Sequence, residues 1–262
     1  MIAFPEVICD LIAEYTCENK LLPWIDSSKL GWDSLSENPA AIDLLIANQD
    51  KIDWSWLSKN PAAIDLLIAN QDKIDWVQLS ANSAAIELLK ANPEKIQWEW
   101  LSTNPAAIEL ILKCLDTNPE KIDWVQLSAN PAAIELIIKC LDTNPEKIDW
   151  YILSGNPAAI DLLTSNQDKI DWRMLSGNPA AIDLLTANQD KINWDSLSLN
   201  SAAVSLLAAN QDEINWYILS ENPAAIDLLT ANQDKIYWRW LSANPAIFRC
   251  NKQEIYTTLL LV

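Results

Sequence analysis

Tryptophan recurs at Trp32, Trp54, Trp76, Trp98, Trp124, Trp150, Trp172, Trp194, Trp216 and Trp238, at intervals of 22 residues except for two of 26. The spacing marks an internal repeat, W-x-x-L-S-x-N-P-A-A-I-(D/E)-L-L-x-A-N-Q-D-K-I-D, seen complete as WSWLSKNPAAIDLLIANQDKID over 54–75. A chain of near-identical short pieces must give each piece near-identical surroundings, and stacking does that. Ten unit starts are present, and the tenth unit breaks off as NPAIFRCN. Below, they are units 1 to 10, counted from Trp32 to Trp238.

Each unit carries its own start and stop signals. Asn60 followed by Pro61 reads as an N-cap and a first helical residue. AAIDLLIA continues the helix with Ile64, Leu67 and Ile68 on one stripe and Asp65 outside it. Asn70 suits a left-handed helix C-terminus, and Asp75 suits the cap of a second, shorter helix, WVQLS. No segment shows sustained alternation of apolar and polar residues. The expected fold is therefore all-α: an α-solenoid of ten stacked repeats of 22–26 residues, each one α-helix of about ten residues plus one short or 3-10 helix. At about 8–10 Å per helix layer the stack is an elongated rod or arc of roughly 80–100 Å. The register tryptophans are expected in its core. Residues 1–31 read as an N-terminal helical cap, 32–248 as the solenoid and 249–262 as a C-terminal cap.

The two longer units, 98–123 and 124–149, carry four extra residues inside the long helix, PAAIELILKCLDTN in place of PAAIDLLIAN. Four residues is close to one turn of 3.6, so the apolar stripe stays in register and the helix is expected to lengthen by one turn.

Composition excludes several functions. The 36 acidic and 18 basic side chains leave a net charge of −18. That argues against nucleic acid, whose binding rests on neutralised phosphates, and against an anionic membrane surface. No run of 18 apolar residues exists to span a bilayer. There is no histidine, which removes the commonest general base and the imidazole metal sites, and three glycines make no phosphate loop. No enzyme, cofactor or metal is expected. Five cysteines form no disulfide framework, and the N-terminus lacks a basic signal-peptide region, so a reducing intracellular compartment is expected. Cys114 and Cys140 lie in identical segments, KCLDTNPEKIDW, and read as small buried hydrophobes copied by duplication.

Two sets of positions remain as interaction candidates. Asp43, Asp65, Glu87, Glu109, Glu135, Asp161, Asp183 and Asp227 form an acidic stripe without systematic basic partners, which reads as a solubilising face or a dock for a basic partner. The residues that vary within the otherwise uniform array lie on the short helix. They are the one after each register tryptophan, the next one, and the one before the capping asparagine. The first and third sets are expected to be exposed, the second half-buried. Tyrosine, tryptophan and arginine dominate binding hot spots, so the expected partner-binding residues are Tyr151, Arg173, Tyr217, Arg239 and Trp240, with Trp56 and Trp100 weaker.

The units LSxNPAAIDLL–NQDKIDW, the leading segment LLPWIDSSKLGWDSLSENPAAI (21–42) and the closing LSANPAIF (241–248) resemble the short-repeat proteins encoded in many copies by giant DNA viruses of amoebae and other protists. The resemblance covers about residues 20–250 and implies an α-helical repeat protein acting through binding, located in the host cytoplasm or the virion. It carries over no catalytic residues. The expected function is a non-enzymatic scaffold that binds a protein partner, one of basic character if the acidic stripe is the dock, through the variable short-helix face. The alternative is a structural virion or assembly protein, or a rigid spacer, that self-associates.

Overall fold

The computed structural model describes residues 19–250; the outer parts of both expected caps, 1–18 and 251–262, lie outside the described residues. Each unit is a four-sided coil of helical segments. In unit 2 a short α-helix, Trp54–Lys59, runs into a 3-10 turn at Pro61–Ala63, a second α-helix at Ile64–Ile68 and a 3-10 turn at Gln71–Lys73. The all-α repeat solenoid is thus the observed fold. The long helix begins with a 3-10 turn capped by the Asn60 side chain, which takes the Ala62 N–H at 2.9 Å; Pro61 suits its first position, but Ser83 and Ser201 form the same turn in units 3 and 8. Asp75 caps the next short helix as expected, accepting from the amides of Val77 and Gln78. In the two longer units the long helices cover ten residues, Ile108–Thr117 and Ile134–Thr143, against five in unit 2.

The asparagine that ends each long helix works differently from expectation. Asn70 has φ −134° and ψ 51°, and no residue, glycine included, has a positive φ among the described residues. Its side-chain amide donates to the Leu66 carbonyl at 3.0 Å, satisfying a helix-end acceptor that would otherwise need a left-handed turn.

The core is a column of small and medium side chains. Leu57, Ala63 and Leu67 of unit 2 are fully buried, as are their counterparts in unit 3, Leu79, Ala85 and Leu89. The tryptophans depart from the expectation that they are core. All ten are half-buried against the core, and one indole face points outward. In nine units a lysine ammonium stands over that face, from Lys73 over Trp54 at 4.2 Å to Lys121 over Trp98 at 5.7 Å. Cation–π attraction and the lysine stem complete the cover that stacking leaves open.

Two buried polar residues stitch each unit to the one before it. The Asn82 amide donates to the Ser58 and Asn60 carbonyls at 3.0 and 3.2 Å, while its oxygen caps the following turn. The Ser58 hydroxyl donates to the Trp54 carbonyl and accepts at 3.0 Å the N–H of Asp75, the residue that leads into the next unit and caps its short helix. Both residues are almost wholly buried and fully bonded, as buried polar groups must be.

The stitching does not stop at the end of the array. Asn38 of unit 1 donates to the carbonyls of Ser242 and Asn244 of unit 10, at 3.0 and 3.2 Å. The Gly31 N–H donates to the Ser242 hydroxyl at 2.9 Å. Lys29 stands over Trp238 at 4.7 Å, in the place that a unit's own lysine takes elsewhere. Strand β1 (Asn19–Leu21) pairs antiparallel with β2 (Phe248–Cys250), with Lys20 opposite Arg249, and the Leu22 N–H reaches the Ile247 carbonyl at 2.8 Å. Asp33 and Arg239 form an ion pair at 2.7 Å. The array is therefore not an open rod. It is a closed toroid, and the described parts of the two terminal segments join each other. Closure removes the exposed solenoid ends that caps otherwise cover.

Candidate interaction surface

In a closed array the elements that crowd together lie on the inner circumference. Most successive short helices pack directly on one another, and successive Pro-Ala-Ala turns do so throughout, whereas the long helices of neighbouring units meet far less. The short helices therefore line a central opening and the long helices face outward. Ten helices spaced about 8–10 Å apart make a circle roughly 25–30 Å across; subtracting about 5 Å of side chain on each side leaves an opening of roughly 15–20 Å.

The variable positions thus share one wall. Ser55, Glu99, Val125, Tyr151, Arg173, Asp195, Tyr217 and Arg239, each following a register tryptophan, are exposed, while Asp33 and Val77 are half-buried. The second set is mostly half-buried; Trp56 and Trp100 are its exposed members, at 38% and 40%. In the third set Lys59, Gly177 and Leu199 are exposed and the rest half-buried.

The sequence-predicted residues fall into groups. Tyr217 packs on Tyr237 with centroids 4.4 Å apart and edge-on to Trp240 at 5.4 Å, so units 9 and 10 carry an aromatic cluster. The Trp240 indole N–H is buried there without an acceptor. Arg239 is held by Asp33 across the seam. Arg173 and Asp195 border a cavity of about 370 Å³ that Asn193, Ser196, Leu199 and Ile218 complete. Tyr151 stands at 45% exposure on unit 6, and Trp56 lies under the Lys59 ammonium at 4.3 Å.

Sequence reasoning missed Glu37, Lys59 and Glu221 as a group, because they belong to units 1, 2 and 9 and only closure assembles them. Burial pushes the Glu37 carboxyl above the usual range; Lys59 opposes this, while Glu221 and Asp33 add to it. Burial also raises Glu221, again opposed by Lys59. At Asp33 burial pushes up as well, but the Ser34 N–H and the Arg239 guanidinium outweigh it and hold the carboxyl low.

The acidic stripe lies on the outer circumference. Asp43, Asp65, Glu87, Glu109, Glu135, Asp161, Asp183 and Asp227 are all exposed and sit in the first turn of the long helices, where a negative charge complements the helix dipole. Among the described residues only Glu87 of this set has an ion pair, with Lys90 at 2.8 Å. The stripe thus has a local structural reason to exist. Cys114 and Cys140 are buried free thiols, donating weakly to the Asn118 and Asn144 carbonyls, and burial raises both. Where unit 4 overhangs the shorter unit 3, an apolar cavity of about 550 Å³ opens over Ile96, Trp98, Leu110 and Cys114.

No group of three or more metal-ligating side chains occurs among the described residues, and no helix is long and apolar enough to cross a membrane. Compared with known proteins, the chain matches no family model, no curated protein and no solved structure.

Proposed function

We propose that the protein is a non-enzymatic binding toroid that takes a single polypeptide segment of a protein partner into its central opening. The observation that carries this reading is closure: it turns the variable short-helix surface of a uniform array into the lining of a passage. A passage of roughly 15–20 Å admits an α-helix of about 10–12 Å or an extended chain, and excludes a folded domain. The variable wall carries Asp33, Glu37, Glu99, Asp195 and Glu221 against Lys59, Arg173 and Arg239, so a segment of basic character fits it best. Tyr151, Arg173 and Tyr217 supply the anchors. Arg239 and Trp240 contribute from the seam side, where they already hold the structure, and Trp56 and Trp100, on units 2 and 4, add exposed indoles to the same wall. Following the resemblance to giant-virus repeat proteins, the partner is to be sought in the infected host cytoplasm or the virion.

The test is selection of random twelve-residue peptides displayed on phage against the full chain and against a variant with Tyr151, Arg173 and Tyr217 changed to Ser. A basic consensus enriched on the native chain and lost on the folded variant is the expected result. No enrichment, or peptides that bind both alike, would overturn the reading.

A second reading rests on a separate observation. Ile46, Ile68, Leu112 and Ile138 are 44–51% exposed on the outward long helices, an apolar belt interrupted at Lys90. Such a belt suits lateral self-association in an assembly. Sedimentation of the native chain beside Ile46→Lys/Ile68→Lys decides it: a concentration-dependent oligomer in the native chain alone supports assembly, and a monomer in both removes it.

A further inference from the structure

Nine of the ten register tryptophans have a lysine of the chain over their outer face, at 4.2–5.7 Å. The tenth is Trp194. Nineteen residues on, where units 1 to 3 carry Lys51, Lys73 and Lys95, unit 8 carries Glu213. The turn reads Gln211-Asp212-Glu213, with two acids and no base, and both acids are exposed. A second observation agrees. The residue two before each register tryptophan is buried in nine units, at 6–9% exposure, and only Ile192, beside Trp194, is half-buried. Trp194 is therefore the one register tryptophan without a lysine of the chain over its outer face.

The surroundings state what fits. An indole face attracts a cation, and nine copies of the same geometry in this molecule accept a primary ammonium. At unit 8 the charge that would repel an incoming ammonium is gone, and a carboxylate that attracts it stands in its place. We infer that Trp194 and Glu213 form a seat for an ammonium group supplied by another molecule, namely the side chain of a lysine on a partner protein. That lysine would occupy the position a lysine of the chain itself takes in the other nine units. The inference does not depend on a segment entering the central opening.

The substitution that tests it is already present nine times in the fold. Glu213→Lys makes unit 8 like its neighbours and is compatible with folding for that reason. The probe is n-butylammonium chloride, with sodium chloride at equal ionic strength as the reference. The readout is the indole N–H resonances of the 15N-labelled full chain, with Trp194 assigned from Trp194→Phe. In the native chain the Trp194 resonance is expected to shift saturably at millimolar ammonium, with the nine lysine-covered indoles unmoved. In Glu213→Lys the shift is lost, and in Glu213→Gln, which leaves the face open, half-saturation moves several-fold higher. No saturable shift in the native chain would overturn the seat, as would a shift that sodium reproduces or that persists unchanged in Glu213→Lys or Glu213→Gln.

Discussion

The interface between units 2 and 3 and the interface between units 10 and 1 do the same physical work with different connections. In the first, Asn82 donates to the Ser58 and Asn60 carbonyls and the Asp75 N–H meets the Ser58 hydroxyl. In the second, Asn38 donates to Ser242 and Asn244, and the Gly31 N–H meets the Ser242 hydroxyl. The seam reproduces the internal bonds across a break in the chain. It differs at its edges, where covalent continuity is replaced by the β1–β2 pair and the Asp33–Arg239 ion pair. The lesson is that a nearest-neighbour repeat needs no special cap if its own curvature brings the ends together. The first unit then serves as the cap of the last.

The largest break comes from removing one internal unit of 22 residues. Ten units share the full circle, so nine of unchanged geometry stop about 36° short and lose the seam as well as one interface. The shortened chain is expected to stay helical but to lose at least twice the stability of one interface, read from urea midpoints by circular dichroism. A fall of one interface alone would mean that the seam adds nothing.

Next in size is the asparagine ladder. Asn130 is fully buried, caps the Ala132 N–H and donates to the Ser102 and Asn104 carbonyls. Asn130→Ala removes the cap, worth about 1 kcal/mol, and strands the buried Ser102 carbonyl at about 1–3 kcal/mol, while the Asn104 carbonyl keeps the Ala107 N–H, for a loss of roughly 3 kcal/mol. Asn38→Ala at the seam is expected to cost the same. A cost near 1 kcal/mol at Asn38, against about 3 at Asn130, would show that the toroid is open in solution.

A smaller effect separates the seam from the interior. The Asp33–Arg239 pair is partly solvated, so Arg239→Ala is expected to cost about 0.2–1 kcal/mol at low salt and less in 1 M salt. A cost that salt does not reduce would assign Arg239 a packing role instead.

The finest probe is pH. Glu37 and Glu221 sit above their ordinary range, so the folded state holds their protons more tightly than the unfolded chain. Their contribution is present below the unfolded values and is lost as pH rises through the raised ones, so stability falls from mildly acidic to neutral pH. Asp33, held low, works in the opposite sense and loses its contribution as pH falls below the ordinary carboxylate range. Glu37→Gln/Glu221→Gln is expected to flatten the fall seen by urea titration between mildly acidic and neutral pH. An unchanged slope would mean that burial does not hold the two carboxyls above their ordinary range.

Residue pattern alone determined the unit: its length, where its helical segments start, the asparagine and aspartate caps, and the extra turn at 108–117 and 134–143, although the α-helix expected at about ten residues is only five or six in the ordinary units, set between 3-10 turns. These follow from hydrogen bonds and side-chain periods spanning a few residues, which a sequence displays directly. The variable positions were legible too, because three residues of each short-helix segment change from unit to unit against a uniform background. Closure was not legible, since it depends on a small rotation per unit summed over ten, and no local signal carries that angle. The meeting of Glu37, Lys59 and Glu221 depends on it in turn, as does the second task of Asn130 and its equivalents. Read locally, each asparagine is a helix cap. Only a neighbouring unit at a set distance and angle supplies the two carbonyls that make it a stitch, and only the sum of those angles decides that the last stitch returns to the first unit.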